Sequence, residues 1–168
     1  MLAGLNILIF LKLSGELSAA AEHAFGALQS SYEEASDDEY GGAFYQARGM
    51  GFEAALFANQ GDVYDSEFAG FEFALAITSN FWCVELGNLE LEGELSEYFA
   101  RQLAFDLDVE TATEILMETN EDAEIFEIRV FRRNPQYRLD QGPTTPRVFV
   151  VETRQVEEPF DEDEEEPL

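Results

Sequence analysis

"NILIFLKL" (residues 6–13) decides the fold. Apolar side chains fall on both alternating sets of this run, which marks a strand covered on both faces and central in its sheet. "SGELSAAAEHAFGALQ" (14–29) follows. Leu17, Ala21, Ala24, Phe25 and Leu28 make one helical stripe, and Ser14 is placed to cap the first turn. "SSYEEASDDEYGG" (30–42) reads as a polar, acidic loop closed by two glycines. "AFYQARG" (43–49) and "FEAALFAN" (52–59) read as strands joined by a hairpin at Gly49-Met50-Gly51. In "FEFALAIT" (71–78), Phe71, Phe73, Leu75 and Ile77 alternate onto one face, and "FWCVEL" (81–86) adds a short strand.

A second helix is predicted over 93–105. Leu95, Tyr98, Phe99 and Leu103 form its stripe, and Glu97 precedes Arg101 by one helical turn. "TATEILME" (111–118) and "AEIFEIRVFRR" (123–133) read as strands across a "TNED" turn, and "RVFVVET" (147–153) is the last strand. The order β-α-β-β-β-(β)-α-β-β-β predicts an α+β fold. Two helices cannot cover both faces of so many strands, so the expected form is a mainly antiparallel sheet of about six to seven strands with both helices on one face. Residues 1–156 make the single domain. Residues 157–168, with eight acids and two prolines, have the composition of a disordered tail.

The 168 residues are 46% hydrophobic with 15 Phe, enough for a sizeable core. Against that stands a charge of −27, from 36 acids and 9 bases. The charge divides the chain in three: −23 over residues 1–128, +4 over 129–154 and −8 over 155–168. Such a chain repels phosphate, so direct binding to nucleic acid or an anionic membrane is disfavoured, and a basic partner is attracted. Solubility alone is the competing explanation of the acidity.

One cysteine, Cys83, excludes an internal disulfide and argues against a cysteine zinc site. The apolar start, "MLAGLNILIFLKL", lacks a basic leader and is too short for a membrane span, which predicts a cytoplasmic protein. The one histidine, His23, sits between the apolar positions of the first helix and has no nucleophile beside it in sequence. No glycine-rich phosphate loop follows a strand. An EF-hand count started at Asp37 places Arg48 where the bidentate carboxylate must stand, so that match fails. A looser divalent site from Glu33, Glu34, Asp37, Asp38 and Glu39 stays open. Thirty-six acids will bring some pair to hydrolase spacing by chance, so no catalytic pair is assigned and no cofactor or metal is expected.

Glu90, Glu92 and Glu94 alternate before the second helix, and Asp106, Asp108 and Glu110 alternate after it. In extended chain, residues i and i+2 point to one side about 6.6 Å apart. A row of carboxylates at that spacing could imitate a phosphate row to a basic protein. Leu89, Leu91, Leu95, Leu107 and Val109 point the other way, so the alternation equally describes a half-buried segment.

Residues from about 5 to 118 resemble small, acidic bacterial α+β proteins of the immunity-protein kind. "LNILIFLKL" and the helix after it, "FYQARGMGFEAALF", and "ELSEYFARQLA" leading into "TATEILME" carry the resemblance. It implies a partner-binding protein and transfers no functional residue. The expectation is a non-enzymatic acidic protein that binds, and in the stronger form inhibits, a basic protein. Glu33, Glu34, Asp37, Asp38, Glu39, Glu90, Glu92, Asp106 and Asp108 would supply the charge. Tyr40 and Tyr64, with Tyr32 and Phe68, would supply aromatic anchors. The alternative is an accessory subunit of a larger assembly, with homo-oligomerisation left open.

Overall fold

The computed structural model describes residues 2–49, 51–59, 66–85, 89–120, 122–140 and 144–159. The elements are β1 (Leu2–Leu11), α1 (Leu17–Ala27), β2 (Glu33–Asp37), β3 (Gly42–Gly49), β4 (Phe52–Ala58), β5 (Phe73–Glu85), α2 (Leu89–Leu107), β6 (Thr111–Thr119), β7 (Ala123–Arg133) and β8 (Val148–Pro159). The strands form one antiparallel sheet in the order β2-β3-β4-β5-β1-β6-β7-β8. β1 is central, as its two apolar faces require.

The α+β class and the single antiparallel sheet stand, but the sheet has eight strands rather than six to seven. Segment 30–42 is not all loop: Glu33–Asp37 pair with β3 as an edge strand, and Asp38–Tyr40 make a 3-10 turn. Its acids do not oppose this, because both faces of so short an edge strand keep them in water. Gly41 and Gly42, at φ 73° and 118°, turn the chain into β3. The segments 71–78 and 81–86 are one strand, β5, whose pairing with β1 shifts register between Gly4 and Leu5. β8 runs on to Pro159 rather than stopping at Thr153, because β7 offers an edge along its full length, with Ala123 opposite Pro159. The strand therefore passes residue 156, where the acidic tail was expected to begin; residues 160–168 lie outside the described part. Ser14 does not cap α1, whose N-cap is Glu16 with no side-chain capping bond.

One face of the sheet carries both helices. Ile7, Ile9 and Leu11 of β1, Leu56 of β4 and Leu75 of β5 pack against Ala20, Ala24 and Phe25 of α1 and Ala100, Leu103 and Ala104 of α2. The opposite face is not left to water. Phe10, Phe57, Ala74, Ala112, Ile128 and Val130 form a second buried cluster. A 3-10 turn between β4 and β5, Ser66–Phe68, is laid on this face, and the Phe68 ring stacks on Phe10 at 3.7 Å. Asn59 Nδ2 holds the turn by donating to the Phe68 and Phe71 carbonyls, at 3.0 and 2.8 Å. Arg154 of β8 reaches the same turn through Glu67.

Candidate functional site

β1 and β6 are paired over three residues only, Ile9, Phe10 and Leu11 with Thr113, Ala112 and Thr111. Beyond them the strands separate. Side chains take over where the ladder stops. Thr113 Oγ1 donates to the Leu8 carbonyl at 2.9 Å, and the Asn6 backbone N–H is directed at the Glu92 carboxylate of α2. The separation leaves a cleft of about 280 Å³ lined among others by Asn6, Leu8, Glu92, Ser96, Glu114 and Phe126, with Glu124 at its border strand β7. Three elements thus bring three carboxylates to one recess.

α2 can lie this close to β6 because residue 93 is glycine. A Cβ at Gly93 would stand 2.8 Å from Ile115 Cγ2, well inside contact distance. Gly93→Ala gains about 1 kcal/mol of helix propensity, but overpacking typically costs about 1–3 kcal/mol. A net loss of stability in urea unfolding is expected. Ile115→Ala removes the clashing methyl, so the double variant should be more stable than the two single effects summed, by at least about 0.5 kcal/mol. Strict additivity would mean that α2 shifts freely and that Gly93 does not set the cleft.

Two glutamates one and a half turns apart on α2 are tuned in opposite directions. Burial pushes the Glu92 carboxyl above its ordinary 4.5, with the Asn6 N–H opposing. Burial also pushes Glu97 up, but hydrogen bonds and charge from Arg101 and Arg129 outweigh it and hold Glu97 below the ordinary value. A raised carboxyl stabilises the fold below its unfolded pKa, and that contribution is lost as pH rises through the folded value. A depressed one stabilises above the unfolded pKa and loses it as pH falls. Glu92→Gln should therefore raise stability at neutral pH, by less than about 1 kcal/mol because the group stays half in water. Glu97→Gln should lower it at neutral pH by about 1–2 kcal/mol. Both effects should fade below about pH 4, near the unfolded carboxylate range. Thermal unfolding across pH 3.5–7 reads both; equal signs for the two variants would contradict the assignment.

The expected carboxylate rows do not exist as rows. Residues 89–107 are helix, not 93–105, so Glu92 and Glu94, two residues apart, project to nearly opposite sides of α2 instead of to one. Glu90 belongs to the same helix; its side chain lies outside the described part. Glu92 and Asp106 are about 21 Å apart along the axis, at 1.5 Å per residue. Asp106 accepts from Gln102 Nε2 at 2.6 Å. Asp108 follows the helix at φ 55°, on a recess it shares with Lys12, Arg132 and Arg133. The earlier acids, Glu33, Glu34, Asp37, Asp38 and Glu39, do stay together, all exposed at the β2 edge. They lie across the sheet from α2, which packs on β1, β6 and β7.

The aromatic anchors divide. Tyr32 precedes β2 and is 40% exposed, resting on Phe25 and Tyr45 at 5.2 and 5.7 Å. Tyr40 leans on Phe44 and Phe57, at 4.6 and 4.8 Å, as part of the second cluster's border. Phe68 is 3% exposed and is core, not anchor. Tyr64 lies outside the described residues. Sequence reasoning missed Ser96, Glu114 and Glu124. Ser96 had a legible signal: a hydroxyl on the buried stripe with Ala100 and Leu103.

All nine bases are engaged within the chain. Lys12 and Arg132 meet Glu110, Arg48 meets Glu53, Arg101 and Arg129 meet Glu97, and Arg154 meets Glu67. Arg133 and Arg147 lie over the Phe105 ring, at 4.7 and 5.5 Å, and Arg138 donates to the Pro135 and Tyr137 carbonyls. Among the described residues, no three acidic, histidine or cysteine side chains are placed to hold a metal ion, and no helix is long and apolar enough to cross a membrane. No family model, curated protein or solved structure matches the chain.

Proposed function

We propose that this chain is a non-enzymatic acidic protein that binds a basic protein and blocks its working site, in the manner of an immunity protein or a nucleic-acid mimic. The observation that carries the reading is where the charge goes. The nine bases are spent inside the molecule, whereas five exposed carboxylates at the β2 edge have no cation within ion-pair distance among the described residues. Such a field steers a basic partner and rejects acidic ones. Tyr32 beside these acids supplies an exposed ring for the close contact, the type of side chain in which interface energy concentrates.

A second reading, the accessory subunit, draws on β8. Phe149, Val150 and Val151 are 42%, 42% and 45% exposed on a long edge strand. Affinity capture from the native cell extract at low salt separates the two. A basic protein retained by the chain, and lost when Glu33, Glu34, Asp37, Asp38 and Glu39 are neutralised, supports the first reading. A stable homo-oligomer in sedimentation, with no basic protein captured, supports the second.

A further inference from the structure

The sheet is wider than its two helices. α1 packs on β3 and β4, and α2 on β1, β6 and β7. α2 reaches β8 at Val148, whose carbonyl accepts from Arg101 Nη1 at 3.5 Å. Strand register fixes what lies beyond, because opposite residues of paired strands share a face. Phe131 lies under Arg101 of α2, and Val150 stands opposite it; Arg129 bonds to Glu97 of α2, and Thr153 stands opposite it. On the helix side β8 therefore presents Val150, Thr153, Gln155 and Glu157, and all four are exposed. The result is a bare shelf over β7 and β8 beside α2. From Phe131 to Ile125 it runs about 20 Å at ~3.3 Å per residue, the length of about 13 helical residues. Two strands about 4.8 Å apart make it about as wide as one helix. Its rim is apolar and acidic. Tyr98, one turn after Glu94 and one turn before Arg101 on that flank of α2, is 60% exposed. Met117, which lines one recess with Glu94 and Arg129, is 48% exposed, and Val150 is 42% exposed. Arg101 and Arg129 are both held by Glu97. Glu94 and Glu157 have no cation within ion-pair distance among the described residues.

We infer that this shelf seats a third helix, amphipathic and basic, supplied by another protein. Charge complementarity selects the occupant. The helix's apolar side covers Val150, Tyr98 and Met117, and lysines or arginines beside that stripe meet Glu94 and Glu157. A second copy of this chain does not supply such a helix: α1 and α2 together hold six acids and one arginine. Residues 160–168 hold six acids and no base, so the shelf repels them as well. The inference goes beyond the proposed function, since the shelf lies at the β8 edge and the steering acids lie at the β2 edge, opposite ends of the sheet.

The test uses the full chain and a fluorescein-labelled peptide of about 13 leucines and lysines patterned at helical period. Anisotropy is read at about 0.15 M salt, where the Debye length is about 8 Å. Saturable binding with a Kd on the order of 10–100 µM is expected, with amide NMR shifts at Tyr98, Val150 and Gln155. The same composition patterned at period two should bind at least about tenfold more weakly. Thr153→Lys with Gln155→Lys adds two cations at exposed positions of the shelf and should weaken the helical peptide at least about tenfold. Tyr98→Ala, also at an exposed position, should weaken it at least about fivefold. Neutralising the five β2-edge acids should change it less than about threefold. No saturable binding, indifference to both shelf variants, or shifts as strong over β2 as over β8 would overturn the inference. Equal or tighter binding by the period-two peptide would place the contact on the open ladder of β8 and overturn it as well. Because the peptide is the probe, the result does not depend on whether the β2 edge captures a protein.

Discussion

Phe68→Ala should cost about 3–5 kcal/mol, the range for removing a buried aromatic ring. Phe68 is 3% exposed and stacks on Phe10 with the ring planes 8° apart. It is the one large side chain that the 3-10 turn inserts into the second cluster, to which neither α1 nor α2 contributes a residue. Losing it opens a cavity against Phe10 and Phe71 and frees the turn that Asn59 and Arg154 hold. At this chain length about 2–4 °C of melting temperature follows each kcal/mol, so the midpoint should drop by roughly 6–20 °C. Denaturant unfolding with an unchanged m-value checks it. A loss below about 1 kcal/mol would mean that the turn does not seal this face. The same variant discriminates core from anchor. Molecules that remain folded should bind a partner as before, because the ring points inward.

Association with a basic partner should slow by about 10- to 1,000-fold between 0.05 and 0.5 M salt. The Debye length is about 10 Å at 0.1 M and about 3 Å at 1 M, so the field of the β2 edge collapses across that range. Dissociation should change far less, because short-range contacts such as those of Tyr32 hold the formed complex. Replacing Glu33, Glu34, Asp37, Asp38 and Glu39 by their amides should reproduce most of the slowing at low salt. Neutralising Asp106 and Asp108 should not. Asp108 shares its recess with Lys12, Arg132 and Arg133, which partly cancel its field, and Asp106 stands on α2, which packs on β1, β6 and β7, across the sheet from the β2 edge. Stopped-flow rates across salt decide the matter; a partner that associates equally fast at both ends of the range removes electrostatic steering from the mechanism.

The strongest local patterns in the sequence were read correctly. The doubly apolar run at 6–13 became a central strand, and the 17–28 stripe became α1. The alternation in 71–78 and 123–133 became strands. The reading failed where two periods compete. Glu90, Glu92 and Glu94 alternate with leucines as a strand would, yet the segment is helical. Its first turns bury the side holding Gly93 and Ser96 while Leu91 stays 38% exposed, so the hydrophobic pattern pointed the wrong way. β2 was missed for a related reason: five residues with three acids have no strand signal of their own and pair because β3 presents an open edge.

Composition by itself determined the charge, the lack of any internal disulfide and the sign of a partner the chain would attract, since these depend on residue counts and not on position. Local periodicity determined the class, because apolar spacing fixes which face of an element must leave water. Only the tertiary structure decided where the carboxylates stand. It sent Glu97, Glu110 and Glu67 to arginines far along the chain, left the β2 acids in solvent, and gathered Glu92, Glu114 and Glu124 where β1 and β6 part. The reason is physical. Whether a carboxylate is paired, solvated or pressed into a cleft depends on its neighbours across strands, and strand pairing between residues 9 and 113 is set by the packing of the whole sheet.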